Sequence, residues 1–187
     1  GVRACRRGEG RDHDIIAHAR AGGRVLGICG GYQMLGLRIS DPHGVDGAPG
    51  EAEGLGLLAV ETIMERDNRV APVTGTCFRS GETVSGYEIH MGKTSGPDTA
   101  RPFVEIDGNP DGAVGSDGKV QGTYLHGAFT SEGFRRAWLT EIGAQADQTL
   151  AYGAEVDRAL DALADGVEAA TDIDALLALA KPLGWSP

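Results

Sequence analysis

The chain has 187 residues, the usual length of one domain, and is 41% hydrophobic, which suits a packed core rather than a disordered chain. Aromatic residues make up only 5%, so the core must rest on Leu, Val, Ile and Ala. Seventeen basic residues against 27 acidic ones give a formal net charge of −10, a sign that repels phosphate backbones and anionic membrane surfaces, so neither nucleic acid nor a membrane is an expected partner.

The first residues, Gly1-Val2-Arg3-Ala4-Cys5-Arg6-Arg7, are basic but lead into no apolar stretch, so they do not form a signal peptide. They also lack an initiator Met, and the chain is expected to be a piece of a longer protein. Residues 12–21 read as a helix with Ile15, Ile16 and Ala19 on one face, ended by Gly22-Gly23. Residues 24–28 read as a short buried strand, followed at once by Cys29-Gly30-Gly31 and a second apolar stretch over 32–37. Helix, strand, tight turn and helix is the rhythm of a parallel α/β sheet.

Residues 40–56 are rich in Gly, Asp and Pro and read as a loop. Strands are predicted over 57–62, 84–90 and 119–125, with a turn around Gly108-Asn109-Pro110-Asp111-Gly112, giving antiparallel structure appended to the sheet. Near the end, Val156, Leu160, Leu163 and Val167 recur at helical spacing. Thr171 is the predicted N-cap of a closing helix with an apolar stripe of Ile173, Leu176, Leu177 and Ala180, stopped by Pro182 and Gly184.

Three cysteines, Cys5, Cys29 and Cys77, are an odd count at spacings that fit no zinc pattern. A reducing, cytoplasmic setting is the simplest one for them. Cys5 and Cys77 have no reactive context. Cys29 does: a Cys flanked by glycines between a strand and a helix fits a nucleophile elbow, in which the helix start favours thiolate and the Gly30 N–H faces a developing oxyanion. A buried structural Cys at a strand end is the alternative. Gln33, one helical turn on, shares the face of Cys29.

Gly122-Thr123-Tyr124-Leu125-His126-Gly127 places His126 at a strand end, where it can serve as the base a thiol nucleophile needs or be a surface His on a turn. Gly86-Tyr87-Glu88-Ile89-His90-Met91-Gly92 puts Glu88 and His90 on one side of a strand, as a catalytic pair, a substrate contact or a satisfied polar pair. His13, His18 and His43 read as surface residues.

These three segments, in this order, resemble the amidotransferase domain of the adenosylcobyric acid synthase family of cobalamin biosynthesis. Asp41-Pro42, Gly54-Leu55-Gly56-Leu57-Leu58 and the tail from Arg158 are similar to the same pattern. The resemblance implies an α/β fold, a flavodoxin-like class I glutamine amidotransferase sandwich with added antiparallel β-structure and C-terminal helices. It maps the nucleophile onto Cys29 and the base onto His126. Gly30, Gln33, Glu88 and Tyr124 are the candidate substrate-binding residues, and no metal ligand is expected.

The implied activity is glutamine hydrolysis, with ammonia passed on for ATP-dependent amidation of carboxylates on a corrinoid substrate, adenosylcobyrinic acid a,c-diamide. No cofactor is expected in this domain; ATP and magnesium belong to a synthetase domain. Residues 1–187 then form a partial amidotransferase domain, without the synthetase domain and without an opening stretch that carries a second oxyanion donor. Most class I amidotransferases have a Glu two residues after the His; here that position is Ala128, as in the cobalamin branch, and the orientation of His126 is left open. The alternatives are cobyrinate a,c-diamide synthase, a lipid II amidating subunit, or a non-catalytic docking fragment.

Overall fold

The computed structural model describes residues 11–144 and 151–179. Cys5, Ala180, Pro182 and Gly184 lie outside the described residues, as does the side chain of His90. The chain divides into two compact units, whose described residues are 11–144 and 151–179.

The first unit opens with α1 (Arg11–Arg20), β1 (Val25–Ile28) and α2 (Gly30–Leu35), the predicted helix–strand–turn–helix. β1 pairs in parallel with β9 (Val120–Thr123), and β8 (Ala113–Val114) runs antiparallel along the other side of β9. Gly27 permits the tight strand–helix join: a Cβ there would stand 2.6 Å from Leu35 Cδ1 and 2.8 Å from the Gly31 carbonyl.

The second sheet holds β10 (Leu125–His126), β5 (Thr83–Ser95), β4 (Glu61–Cys77), β2 (Arg38–Asp41) and β3 (Gly50–Glu53), in that order. β6 (Val104–Ile106) joins β4, and β7 (Asn109–Asp111) joins β6. The antiparallel addition is thus a long β4–β5 hairpin with a register shift between Ile63 and Asn68. Core residues alternate along β4, where Thr62, Met64, Val73 and Cys77 are buried.

Several predicted boundaries need correction. Residues 40–56 are not all loop, because β2 and β3 pair there; Asp41, fully buried, holds the intervening turn through the N–H groups of Val45 (2.7 Å) and Asp46 (3.0 Å). The strand predicted over 57–62 starts only at Glu61. The N–H groups of Leu55, Leu57 and Leu58 are spent on the carbonyls of Met34 and Leu35, satisfying the C-terminus of α2 instead of a ladder. The turn near 108–112 is tighter than predicted: it sits at Asp107 (φ 50°) and Gly108 (φ 77°), and Asn109–Asp111 is strand. The strand predicted over 119–125 is split, since Tyr124 separates β9 in one sheet from β10 in the other. A helix the sequence reading missed, α3 (Glu132–Glu141), packs Phe134 at 1% exposure into the core beside Phe103 and Trp138.

Two buried clusters flank the site. One gathers Val73, Val84, Phe103, Val104, Leu125 and Phe134; the other gathers Tyr32, Leu35, Leu58, Val60, Val120 and Tyr124. The aliphatic core expected from composition is present, but four of the largest fully or nearly buried side chains are the scarce aromatics Tyr32, Phe103, Tyr124 and Phe134. Among the described residues, no helix is long and apolar enough to cross a membrane.

The second unit consists of α4 (Tyr152–Ala170) and α5 (Ile173–Leu179). The predicted stripe of Val156, Leu160, Leu163 and Val167 is there, and it is exposed. The cap of α5 is Asp172 rather than Thr171: its carboxylate accepts from the Ala175 N–H at 2.9 Å, while Thr171 ends α4.

Candidate active site

β1 ends at Ile28, paired with Thr123, and the next N–H, that of Cys29, still bonds to the Thr123 carbonyl at 2.9 Å. The chain must then reverse into α2 within one residue. Cys29 absorbs that turn with φ 54° and ψ −117°, a conformation that costs an L-residue energy and is typical of functional turns. Its carbonyl already accepts the first helical bond, from the Gln33 N–H at 3.1 Å.

The thiol is half-buried and donates to the Ile89 carbonyl oxygen at 3.4 Å. Burial pushes the thiol above its ordinary range, with the Gly30 N–H pulling it back in part. Burial therefore works against the thiolate that the helix start favours. α2 has six residues, under about two turns, too short to gather a full helix dipole. A thiol of this kind needs a base at the moment of attack.

Alkylation of Cys29 by a small neutral reagent is therefore expected to rise with pH, since the rate follows the thiolate fraction. Its midpoint should lie above the ordinary cysteine value of ~8.5. The check is a pH series of iodoacetamide labelling, corrected with a Cys29→Ser control. A plateau already reached at about pH 7 would show a depressed thiol instead.

His126 arrives from the neighbouring strand. After β9 the chain leaves one sheet for the other, and Asp111 holds that switch: its Oδ2 accepts from Thr123 Oγ1 at 2.5 Å and from the Tyr124 N–H at 3.1 Å. β10 then pairs with β5, Leu125 opposite Glu88 and His126 opposite Tyr87. A Cβ at Gly86 would stand 1.9 Å from the His126 carbonyl oxygen, so only Gly lets these backbones come this close. The His126 ring stacks on Tyr87, with centroids 5.1 Å apart and planes 11° apart, and its Nε2 is buried without a hydrogen-bond partner. Ala128 is buried in the apolar cluster around Phe134, so a carboxylate at that position would lie in apolar surroundings.

The three predicted segments thus meet. Cys29 stands at the end of β1, His126 on β10 just beyond the partner of β1, and the Ile89 carbonyl that holds the thiol sits on β5 between them. Of the candidate substrate residues, Gly30 directs its N–H at the sulfur. Gln33 is 3% exposed and its amide donates to the Tyr124 hydroxyl at 3.3 Å, making it a buried link. That hydroxyl also bonds Thr94 Oγ1 at 2.6 Å, and burial raises the phenol above its ordinary range, so it stays neutral.

Tyr124 and Glu88 line a cavity of about 690 Å³ shared with Tyr32, Lys93, Thr94 and Asp111. Cys29 and His126 are not in its wall. His13, His18 and His43 are exposed, as expected, and Cys77 is buried in the core. Asp111, Tyr87 and the Ile89 carbonyl escaped the sequence reading. Asp111 looked like a turn residue, and a backbone carbonyl carries no side-chain signal.

The model of the CobB/CobQ-like glutamine amidotransferase domain matches residues 3–134. The chain belongs to that family. Cobyric acid synthase from Hyphomonas neptunium is 58% identical over 99% of the chain, that from Cereibacter sphaeroides 58% over 94%, and that from Bradyrhizobium diazoefficiens 49% over 94%. The chain spans just over a third of each relative, 37%, 36% and 36% of their lengths. The structure of PurLQS from Thermotoga maritima matches with a TM-score of 0.53 at 17% identity, covering 76% of this chain and 72% of that one. A crystal structure of a glutamine amidotransferase matches with a TM-score of 0.51, also at 17% identity, covering 72% and 69%. The fold is that of the class I-like glutamine amidotransferases.

Proposed function

We propose that this amidotransferase domain hydrolyses glutamine with Cys29 as nucleophile and His126 as its base. In the full-length protein, it would supply the ammonia to a cobyric acid synthase. The observation that carries the reading is the strained elbow at Cys29, φ 54°, at the end of β1, whose parallel partner β9 runs on through Tyr124 to His126 on β10.

In the reaction, the thiol leaves the Ile89 carbonyl and gives its proton to His126 as the sulfur attacks the glutamine carboxamide carbon. A C–S bond forms, and the Gly30 N–H faces the oxyanion. His126 returns the proton to the nitrogen as the C–N bond breaks and ammonia leaves. Water, deprotonated by His126, then cleaves the γ-glutamyl thioester, which releases glutamate and restores the thiol. Glu88 and Tyr124, which line one cavity, are the proposed substrate contacts, with Gln33 donating to the Tyr124 hydroxyl.

The ammonia is proposed to pass to a synthetase domain outside this chain, where ATP and magnesium activate the carboxylates of a corrinoid. The free thiols Cys29 and Cys77 suit a cytoplasmic setting.

A thiol-reactive glutamine analogue added to the full-length protein tests the reading. Labelling is expected at Cys29, with protection by glutamine. Absence of labelling in the folded protein would instead mark the domain as an inert docking module.

A further inference from the structure

We infer that Tyr87 is the positioning residue for His126, holding the imidazole by ring stacking where a carboxylate would otherwise hold it by a hydrogen bond. The inference rests on the proposed role of His126.

A general base must present one nitrogen in one direction, and a ring free to rotate about χ2 loses that. In a triad, an acid bonded to the far nitrogen supplies the restraint. Here position 128 is a buried alanine, and the His126 Nε2 is buried without a hydrogen-bond partner. What does lie against the ring is Tyr87, nearly parallel at 5.1 Å and 11°.

The arrangement is built rather than incidental. Tyr87 is directly opposite His126 in the β5–β10 ladder, and directly paired residues share a face. On its other side, Tyr87 is paired with Pro72 of β4, so the aromatic ring stands in a row across three strands. Gly86 gives the backbones the room to set that pair. Tyr87 is nevertheless 45% exposed, more than a core-packing role requires. The ring face, not the hydroxyl, is the working part, so Phe should replace it and an aliphatic side chain should not.

The test measures glutamine hydrolysis and ammonia-dependent synthesis in the full-length protein. Tyr87→Leu is expected to lower the kcat for glutamine by about 10-fold with KM within about 2-fold, because a misaimed base slows proton transfer without loosening the substrate. Tyr87→Phe is expected to keep kcat within about 3-fold. Ammonia-dependent synthesis should persist in both and reports folding; if Tyr87→Leu fails to fold, Tyr87→Met carries the same comparison.

Unchanged kcat in Tyr87→Leu, an equal loss in Tyr87→Phe, or an effect confined to KM would each overturn the inference. A Cys29→Ser control separates the two levels. If that control still hydrolyses glutamine, the proposed function has failed. If it does not, and Tyr87→Leu is as fast as the parent, only the stacking role has failed.

Discussion

Replacing Cys29 with serine is expected to lower glutamine hydrolysis by at least ~10³ in the full-length protein while ammonia-dependent synthesis continues. The thiol sits on the strained turn between β1 and α2, at φ 54°. A serine hydroxyl fits the same turn, but its oxygen is a far weaker nucleophile and is harder still to deprotonate where burial already raises the thiol. The synthetase reaction uses ammonia itself and has no need of the sulfur. The measurement is glutamate release beside product formation with ammonium salt as nitrogen source. Loss of both activities in a folded variant would count against two separate sites.

His126→Ala is expected to cost at least ~10² in kcat for glutamine, the lower end for a positioned acid–base group. Burial raises the thiol above its ordinary range, with the sulfur 3.4 Å from the Ile89 carbonyl oxygen, so attack calls for a base to accept its proton, and ammonia cannot leave until it receives one. His126 Nε2 is buried and makes no hydrogen bond in the resting structure, so it has no partner to lose on taking up the proton. Glu88→Gln should cost less. Glu88 sits opposite Leu125 in the ladder and lines the cavity, on the face of β5 away from Tyr87 and the His126 ring, so its carboxylate is not placed to take the thiol proton. The check is a pair of steady-state profiles, one for each variant. A larger loss at Glu88 than at His126 would reassign the base.

Much of this was legible along the chain because it depends on neighbours in sequence. Glycines on both sides of Cys29 announce a tight turn, and an apolar stretch on each side announces a strand before it and a helix after it. Those are properties of a single short segment, and the elbow appears where they put it. The order of the three motifs likewise carried the family resemblance without any knowledge of distance. Boundaries were less legible. Residues 57–60 have the composition of a strand, yet the N–H groups of Leu57 and Leu58 are needed by the exposed carbonyl end of α2, a demand that exists only once the two segments meet.

The state of the site was decided by the tertiary structure alone. The sequence places Cys29 at a helix start and so suggests a thiolate; packing buries the sulfur against Ile89, sixty residues away, and desolvation works against that charge beside a helix of only six residues. The sequence also shows an alanine where a triad acid would be and stops there. What lies against His126 is set by the register of β5 against β10, in which Tyr87 rather than Glu88 is the opposite partner. A one-residue slip would exchange them, since side chains alternate faces along a strand. Register is fixed by the ladder as a whole, here by a close approach that only Gly86 permits. Sequence therefore determined which residues could do the chemistry, and the strand pairing determined which of them touch.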